Sequence, residues 1–421
     1  MKKKILFLFS LTLLLFVSCD DDEPKGEYTE YLVAKPIVMS QAEFSESVDV
    51  IAPRPIEESG KIYTYKDYIF VNDKYQGIHV INNANPQQPV KIGFIRIIGN
   101  VDISIKDDYL YADSLTDLVV LDISDINTIN QVARLKNVLN NNQGFFPFEA
   151  DVVEYDEFNN IGDGILVGWE VVSERLTEKE YQARFGNYMI AFAEDANMAT
   201  DAGGGTGQGG SLARFKIVDD YLYAVDSHNI NIFNISDLDN PEEKEDVYAG
   251  FDIETIFNKD NHLFLGSMRG MYIYDITNPA EPTFVSEFEH GTACDPVVVD
   301  GDYAYVTLRG GNWCGATESG LYIVDISNIE NPELAIIYSM DGPYGLGIKD
   351  EKLFICDGDA GLKVYDKTDI NDLQELNHFE DIVTFDVIPL EDHLIMVGDE
   401  VLYQYEYLED GIKLISQIGL N

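Results

Sequence analysis

Short apolar runs recur along most of the chain, and polar turns rich in Asp, Asn, Gly and Pro separate them. One stretch, "LYIVDISNIENPE" at 321–333, has near-copies in "MYIYDITNPAEPT" from 271, "INIFNISDLDNPE" from 230 and "LVVLDISDINTIN" from 118. The runs lack the 3.6-residue periodicity of amphipathic helices and are rich in Val, Ile, Tyr and Phe, residues that favour strands. The pattern therefore predicts an all-β chain built from a repeated unit.

The start of one apolar run in each unit fixes the length of the repeat. These starts fall at Ile69, Leu110, Ile165, Leu222, Leu263, Ala304, Leu353 and Leu394. The spacings are 41, 55, 57, 41, 41, 49 and 41 residues. Four of the seven spacings are identical, so the chain contains an internal repeat of eight units, and the longer spacings mark insertions.

Each unit reads as four short strands joined by turns, the size expected for one propeller blade. Blades are buried on both faces by their neighbours, which explains apolar runs such as "LYIV" that do not alternate with polar residues. We therefore predict a β-propeller of four-stranded blades over residues 60–421. Eight blades are expected; seven is the alternative, because the third unit is irregular.

An Asp or Asn closes the third strand of most units. Its side chain can accept a hydrogen bond from the backbone N–H two residues further on. Pro then precedes the fourth strand, where a missing N–H costs least. We interpret these residues as turn formers rather than metal ligands: Asp122, Asn234, Asp275 and Asp325, with Pro241, Pro282 and Pro332.

The segment 36–59 precedes the first unit. Its stretch "SVDVIAPRPIEESG" at 47–60 resembles the fourth strand of a unit, as in "PVKIGFIRIIG". We expect it to pair with the final blade and close the ring, which would leave only short edges exposed.

The "GLYIVDIS…NP" and "GDYAYV" phrases resemble the LVIVD-repeat family of bacterial and archaeal surface propellers. The resemblance covers residues 60–421, is poor in the third unit and is incomplete in the last, where "VLYQYEYLEDG" replaces the Asp-Ile-Ser turn. It implies a propeller fold and a cell-surface setting. It implies no particular activity.

The N-terminus carries an export signal. "MKKKILFLFSLTLLLFVSC" has a basic start and an apolar run too short to span a bilayer comfortably. The pattern resembles a bacterial lipoprotein signal, with residues 1–18 removed and Cys19 lipidated; an ordinary signal peptide is the alternative. The acidic run 20–23 resembles an export tag for the cell surface, and residues 19–35 form a polar tether. We expect a lipid-anchored protein of the outer membrane, exposed at the cell surface.

The chain carries 75 acidic and 28 basic residues, a net charge of −47. Such a charge repels phosphate backbones, so nucleic acid is excluded as an expected partner. The charge serves solubility or attracts cations and basic partners.

Two insertions interrupt the repeat. In the third unit, "SERLTEKEYQARFG" predicts a short helix with Ser173 as N-cap and Gly186 as its end. The following Gly-rich stretch matches G-x-G-x-x-G at 205–210, but a strand follows it where a dinucleotide site requires a helix. We interpret that stretch as a flexible loop.

The second insertion, "LRGGNWCGATES" at 308–319, lies between the second and third strands of the sixth unit. That connection opens on the same face as the start of the innermost strand, so Cys294 and Cys314 are expected to lie close together. In an oxidising compartment they would form a disulfide. Cys356 is then left as a buried thiol, or replaces one of the two in the pair.

The same face gathers residues suited to ligand binding. Rings stack on ligands, and carboxylates accept protons from hydroxyl or ammonium groups. The alternative is that these groups bind no ligand and only solvate the channel mouth and cap strand ends. The candidates are Asp102, Glu149, Arg214, Glu254, Asp295, Tyr344 and Asp386 at the inner strand openings, Arg309 and Trp313 in the insertion, and His290 before it.

The sequence holds no zinc-protease, nucleophile-elbow or phosphate-loop motif, and its six histidines do not fall at metal-ligand spacing. We therefore expect no cofactor and no metal. The predicted function is a binding module for a glycan, a peptide or an envelope protein. The alternatives are a hydrolase or lyase that uses Asp102, Asp295 or Asp386 as acid or base, and a purely architectural envelope protein.

Overall fold

The computed structural model describes residues 28–139, 150–154, 162–185, 208–290, 296–310 and 319–421. They divide into two compact units. The smaller holds residues 28–35, 150–154 and 170–185, and the larger holds the remaining described residues.

Short strands account for most of these residues. The first elements are β1 (Tyr28–Met39), helix α1 (Gln41–Ser45) and β2 (Asp49–Ile51). Blade one comprises β3 (Ser59–Tyr65), β4 (Tyr68–Asp73), β5 (Gly77–Asn82) and β6 (Val90–Arg96). Blade two comprises β7 (Ile103–Lys106), β8 (Tyr109–Ser114), β9 (Asp117–Asp122) and β10 (Asn130–Leu135). In chain order, blades two and three are separated by β11 (Val152–Val153), β12 (Ile165–Thr177), helix α2 (Glu178–Phe185) and β13 (Gln208–Gly209).

The remaining strands form five more blades. Blade three comprises β14 (Phe215–Val218), β15 (Tyr221–Val225) and β16 (Asn229–Asn234), with β17 (Glu242–Glu243) and β18 (Val247–Tyr248) on the outer edge of β16. Blade four comprises β19 (Ile253–Lys259), β20 (His262–Ser267), β21 (Gly270–Asp275) and β22 (Thr283–Glu289). Blade five comprises β23 (Val297–Asp300), β24 (Tyr303–Leu308), β25 (Gly320–Asp325) and β26 (Glu333–Ser339). Blade six comprises β27 (Leu346–Lys349), β28 (Lys352–Cys356), β29 (Leu362–Asp366) and β30 (Gln374–Phe379). Blade seven comprises β31 (Thr384–Pro389), β32 (His393–Gly398), β33 (Val401–Leu408) and β34 (Gly411–Gly419).

The β-propeller prediction is confirmed, and the repeat maps onto the blades directly. Seven of the eight repeat starts lie in the second strand of a blade, while Ile165 opens β12. Eight sheets are present among the described residues, and seven of them are antiparallel meanders of the blade form. The eighth is three-stranded, in the order β11-β1-β12, and its β1–β11 pair is parallel. The irregular third unit therefore forms a sheet that is not a blade. The described residues contain seven blades, the smaller of the two numbers predicted from the sequence.

The seven blades close into a ring. Each pair of neighbouring blades shares one buried hydrophobic cluster, including the pair formed by blades seven and one. At that closing seam, Ile62 and Ile69 of blade one pack with Ile388 and Ile395 of blade seven. Burial of apolar side chains between blades is therefore the main stabilising contribution to the ring.

The segment 36–59 does not pair with the final blade as the sequence suggested. Strand β2 pairs with β6, on the outer edge of blade one, and blade seven supplies all four of its own strands. The segment reaches the closing seam through Ile56, whose backbone N donates a hydrogen bond of 3.0 Å to the carbonyl of Leu420. The ring thus closes by packing of complete blades.

The smaller unit has a core of its own around Val33, Val152 and Phe185. The helix predicted from residue 173 begins later, because 173–177 extend β12; Thr177 is the N-cap, and its Oγ1 accepts a hydrogen bond of 3.3 Å from the backbone N of Glu180. Gly186, its predicted end, lies outside the described residues.

The predicted Asx turns are present. The Oδ1 atoms accept from the backbone N two residues on at 2.9 Å in Asp122, Asn234 and Asp325 and at 2.5 Å in Asp275. The hydroxyl and then the backbone N of Ser124 and Ser327 lower the pKa of Asp122 and Asp325 below the ordinary value. The backbone N and then the hydroxyl of Thr277 do the same for Asp275. The repeated phrase that dominates the sequence is therefore a turn signal.

The same turns also join neighbouring blades. In five blades, the carbonyl four residues after the Asx residue accepts a hydrogen bond from a side chain of the preceding blade. The donor and acceptor pairs are Tyr111–Leu238, Tyr223–Pro279, Ser286–Ile329, Tyr338–Ile370 and Ser416–Pro86, with distances of 2.5–2.8 Å. The last pair crosses the closing seam. The same type of hydrogen bond therefore joins five of the seven pairs of neighbouring blades.

Candidate functional site

The centre of the ring is occupied by residues 208–214, which we term the channel segment. Its strand β13 pairs with β3 of blade one. Ser211 Oγ accepts a hydrogen bond of 2.8 Å from the backbone N of Leu346 in blade six, and the carbonyl of Ala213 accepts one of 2.6 Å from Ile256 in blade four. Because these partners lie on the innermost strands of blades one, four and six, the segment must run across the ring's central channel. The flexible loop expected here is, from residue 208 onwards, an ordered part of the core.

Asp102, a predicted ligand-binding residue, anchors this segment. Its carboxylate is 1% exposed, and its Oδ2 accepts backbone hydrogen bonds from Arg214 at 2.7 Å and Phe215 at 2.9 Å. The Lys61 ammonium lies 3.5 Å from the same oxygen and donates to the carbonyl of Leu212 at 2.9 Å. Burial raises the pKa of Asp102 to about 7, against the opposing effects of Lys61 and the backbone donors.

Asp386, on the innermost strand of blade seven, is packed against the same segment. Its side chain is fully buried, and its Oδ1 accepts a hydrogen bond of 2.9 Å from the backbone N of Val387. A methyl group added to Gly210 would lie 1.7 Å from Oδ2, and one added to Gly345 would lie 2.3 Å from Oδ1. The carboxylate is thus enclosed between two glycines.

These two carboxylates do not form an open channel mouth. Both are buried beneath the channel segment, so neither reaches a ligand on the surface in this conformation. The expectation that they are accessible fails because residues far away in the sequence cover them. Their role in the structure is to hold the channel segment.

The ring does bring two other predicted residues together. The Arg309 guanidinium lies over the Tyr344 ring, with its carbon 3.8 Å from the ring centroid. Arg309 follows β24 and Tyr344 precedes β27, so the expected common face is present. Thr307 Oγ1 donates to the Tyr344 carbonyl at 2.6 Å and fixes its backbone. Glu254, in β19, is half-buried.

Several predicted residues lie outside the described residues, and what was said of them stays a prediction. They are Cys19, Glu149, Cys294, Asp295, Trp313 and Cys314. Cys356 is a buried free thiol, so it does not replace either cysteine of the predicted pair. Burial raises the pKa of that thiol.

Sequence reasoning missed a group of three rings, which we term the aromatic patch: the half-buried His228 and the exposed Tyr248 and Phe251. The Phe251 ring lies 6.0 Å from the Tyr248 ring and 5.5 Å from the His228 ring, at interplanar angles of 84° and 80°. Tyr248 is 58% exposed and Phe251 is 50% exposed. The signal in the sequence was "DVYAGFD" at 246–252, where the fourth strand of the unit is cut short and two aromatics follow.

The patch lies on the face that bears the insertion. His228 is in the turn between the second and third strands of blade three, and Tyr248 and Phe251 flank the connection from blade three to blade four. Because strands alternate in direction within a blade, these two kinds of connection meet on one face of the ring.

Within the part of the chain that the structure describes, no three His, Cys, Asp or Glu side chains are grouped to hold a metal ion. None of the helices in the same residues is long and apolar enough to cross a membrane.

The comparisons support the fold. A family profile described as "LVIVD repeat" matches residues 100–134, 258–289 and 290–340, which fall mainly on blades two, four and five. A Lactobacillus plantarum protein of known structure is similar with 11% identity and a TM-score of 0.53, over 86% of this chain and 96% of that one. Kluyveromyces lactis Hsv2p has 12% identity and a TM-score of 0.49, over 87% of this chain and 99% of that one. No match was found among curated proteins. This chain is a β-propeller that carries LVIVD repeats.

Proposed function

We propose that the protein is a binding module of the cell envelope, anchored by a lipid on Cys19, whose partner is a glycan, a peptide or an envelope protein. One observation carries the binding proposal: two half-exposed aromatic rings lie in contact on the face that bears the connections between blades. Adjacent exposed aromatics are uncommon on a surface that binds nothing, because they leave apolar area in water.

The centre of the ring is filled by the channel segment, which supports a binding site at the aromatic patch over one at the channel mouth. A propeller enzyme commonly gathers its reactive groups at the channel mouth, and here Asp102 and Asp386 are buried under the channel segment. The competing proposal of a hydrolase or lyase therefore has less support than binding at the rim.

The binding proposal is tested by capture from an envelope extract. The full chain, solubilised in mild detergent, is the bait, and the Tyr248→Ala/Phe251→Ala variant is compared with it. Phe284→Ala is the matched control, since Phe284 is 53% exposed on the outer strand β22 and is not one of the three rings of the patch. We expect the bound material to be lost with the double variant and kept with the control. Equal capture by all three proteins would contradict the proposal.

The anchor is tested separately. Radiolabelled palmitate should enter the protein in a bacterial host with lipoprotein processing, and the Cys19→Ala variant should carry none. Label that persists in this variant would contradict lipidation at Cys19.

A further inference from the structure

We propose that the aromatic patch binds neutral glycans by stacking a sugar ring on Phe251 or Tyr248. The inference rests on the proposed binding function and names the ligand class for its site. Aromatic faces carry partial negative charge and attract the polarised C–H groups of a pyranose ring, whose hydroxyl groups then point outwards.

The backbone beneath the patch is held in place before any ligand arrives. The backbone N of Ala249 donates to the His228 carbonyl at 2.8 Å, and that of Met268 donates to the Asp252 carbonyl at 3.0 Å. Gly250 adopts a φ of +140°, and a methyl group there would lie 2.8 Å from the Tyr272 ring. A preorganised surface loses little conformational entropy on binding, which suits a weak, shallow ligand such as a sugar.

Polar groups at the edge of the patch match hydroxyl groups, which both donate and accept. The Arg269 guanidinium lies over one face of the Phe251 ring, with its carbon 5.3 Å from the ring centroid, and offers donors beside the opposite face and the Tyr248 ring. The Asp252 carboxylate, 3.8 Å from Arg269, offers acceptors. His228 Nδ1 lies 3.2 Å from the Gly250 carbonyl.

Charge favours a neutral ligand over the alternatives. Arg269 and Asp252 lie 3.8 Å apart and offset each other's charge beside Phe251, so this pair does not select an ionic ligand. The net charge of −47 repels anionic polysaccharides at longer range. The Arg269 guanidinium over the Phe251 ring also disfavours a basic peptide side chain at that face.

The test uses immobilised cellohexaose, xylohexaose, mannohexaose and maltohexaose, with hyaluronan and oligogalacturonate as anionic comparators. The full chain in detergent is compared with Tyr248→Ala, Phe251→Ala and Arg269→Gln, and again with Phe284→Ala as the matched control. We expect at least one neutral oligosaccharide to be retained. Each aromatic truncation should weaken that binding about tenfold or more, with a smaller loss for Arg269→Gln and none for the control. Thermal unfolding of each variant confirms that the propeller is folded.

The outcomes separate the two proposals. The glycan inference is overturned if no neutral oligosaccharide binds, if the patch variants bind as well as the parent, or if the anionic comparators are preferred. If envelope proteins are still captured through the patch in that case, the binding function stands and its ligand is a protein. If neither sugar nor protein binding depends on the patch, both proposals fail.

Discussion

The side-chain amides of Asn83 and Gln404 donate a hydrogen bond to each other across the seam where blade seven meets blade one. The two distances are 3.0 and 2.8 Å, and the residues are 321 positions apart in the sequence. Gln404 Nε2 also donates to the carbonyl of Pro86 at 3.1 Å. Both amides are buried, so this pair satisfies polar groups that the closing of the ring removes from water.

Gln404→Ala should therefore destabilise the ring. The substitution leaves the buried amide of Asn83 without either partner bond, and we expect a loss of about 3 kcal/mol in the free energy of unfolding. Urea denaturation followed by tyrosine fluorescence measures it. Gln417→Ala on the neighbouring strand β34 is the control, because Gln417 is exposed, and it should change little. Equal effects of the two substitutions would show that the seam does not depend on the pair.

Gly210→Ala should displace the channel segment. The added methyl group would overlap the Asp386 carboxylate, which is fully buried and is confined on its other side by Gly345. We expect a loss of about 3 kcal/mol in the free energy of unfolding and faster proteolysis near residue 210. Gly342→Ala is the matched control, since a methyl group there meets open space.

A second substitution distinguishes this overlap from a general effect of the alanine. Asp386→Ala removes the carboxylate that the methyl group meets. The Gly210→Ala/Asp386→Ala variant should therefore be more stable than the sum of the single losses predicts. Strict additivity would mean that Gly210 acts through some other contact.

The blades could be predicted from the sequence repeat, because local sequence signals specify the strands and turns of each blade. The spacing of apolar runs located the second strands, and the Asp of "VDIS" located the turn in which Asp325 Oδ1 binds the backbone N of Ser327. The start of helix α2 was misplaced, because 173–177 pair in β12. The true cap lies four residues later, where Thr177 and Glu180 form a capping box; Ser173 lacks this pattern, because Leu176 holds the corresponding position.

The channel segment could not be predicted in this way. Its glycines locally favour a flexible loop, and its order comes from Asp102, Lys61 and Leu346, which are 112, 151 and 135 residues from their partners in the segment. Contacts at such separations leave no trace in a local pattern. The predicted ligand set assumed an open channel, and this distant packing is what removed Asp102 and Asp386 from the surface.

The disulfide between Cys294 and Cys314 stays a prediction that peptide mapping can decide. Non-reducing digestion should yield one peptide pair joined through these cysteines, while Cys356 reacts with a thiol reagent only after unfolding, since it is a buried free thiol. A closed loop of roughly 20 residues contributes about 3 kcal/mol on the loop-entropy account, so reductant should lower the unfolding midpoint. Two free thiols at 294 and 314 in protein purified from an oxidising compartment would rule the bond out.

Asp113 should make the stability of the propeller depend on pH. Its Oδ1 accepts hydrogen bonds from the backbone N of Val101 and of Asp102 and from Asn100 Nδ2, at 2.7–2.9 Å. Burial outweighs these donors and raises the pKa of Asp113 to about 6, from an ordinary value of 3.8. Between about pH 4 and pH 6 the folded state therefore holds a proton that the unfolded state has lost. The contribution of Asp113 to stability is therefore greatest below this window and falls as the pH rises through it.

Asp113→Asn tests this linkage, because the amide oxygen can accept the same three hydrogen bonds without a charge. Relative to the variant, the parent should lose on the order of 2 kcal/mol between pH 4 and pH 7, measured by urea denaturation at a series of pH values. Asp102, with a pKa of about 7, keeps a residual slope in the variant. Asp359→Asn, at an exposed position, should give a curve parallel to that of the parent. Parallel curves for the parent and Asp113→Asn would mean that burial does not hold the proton on this carboxyl group.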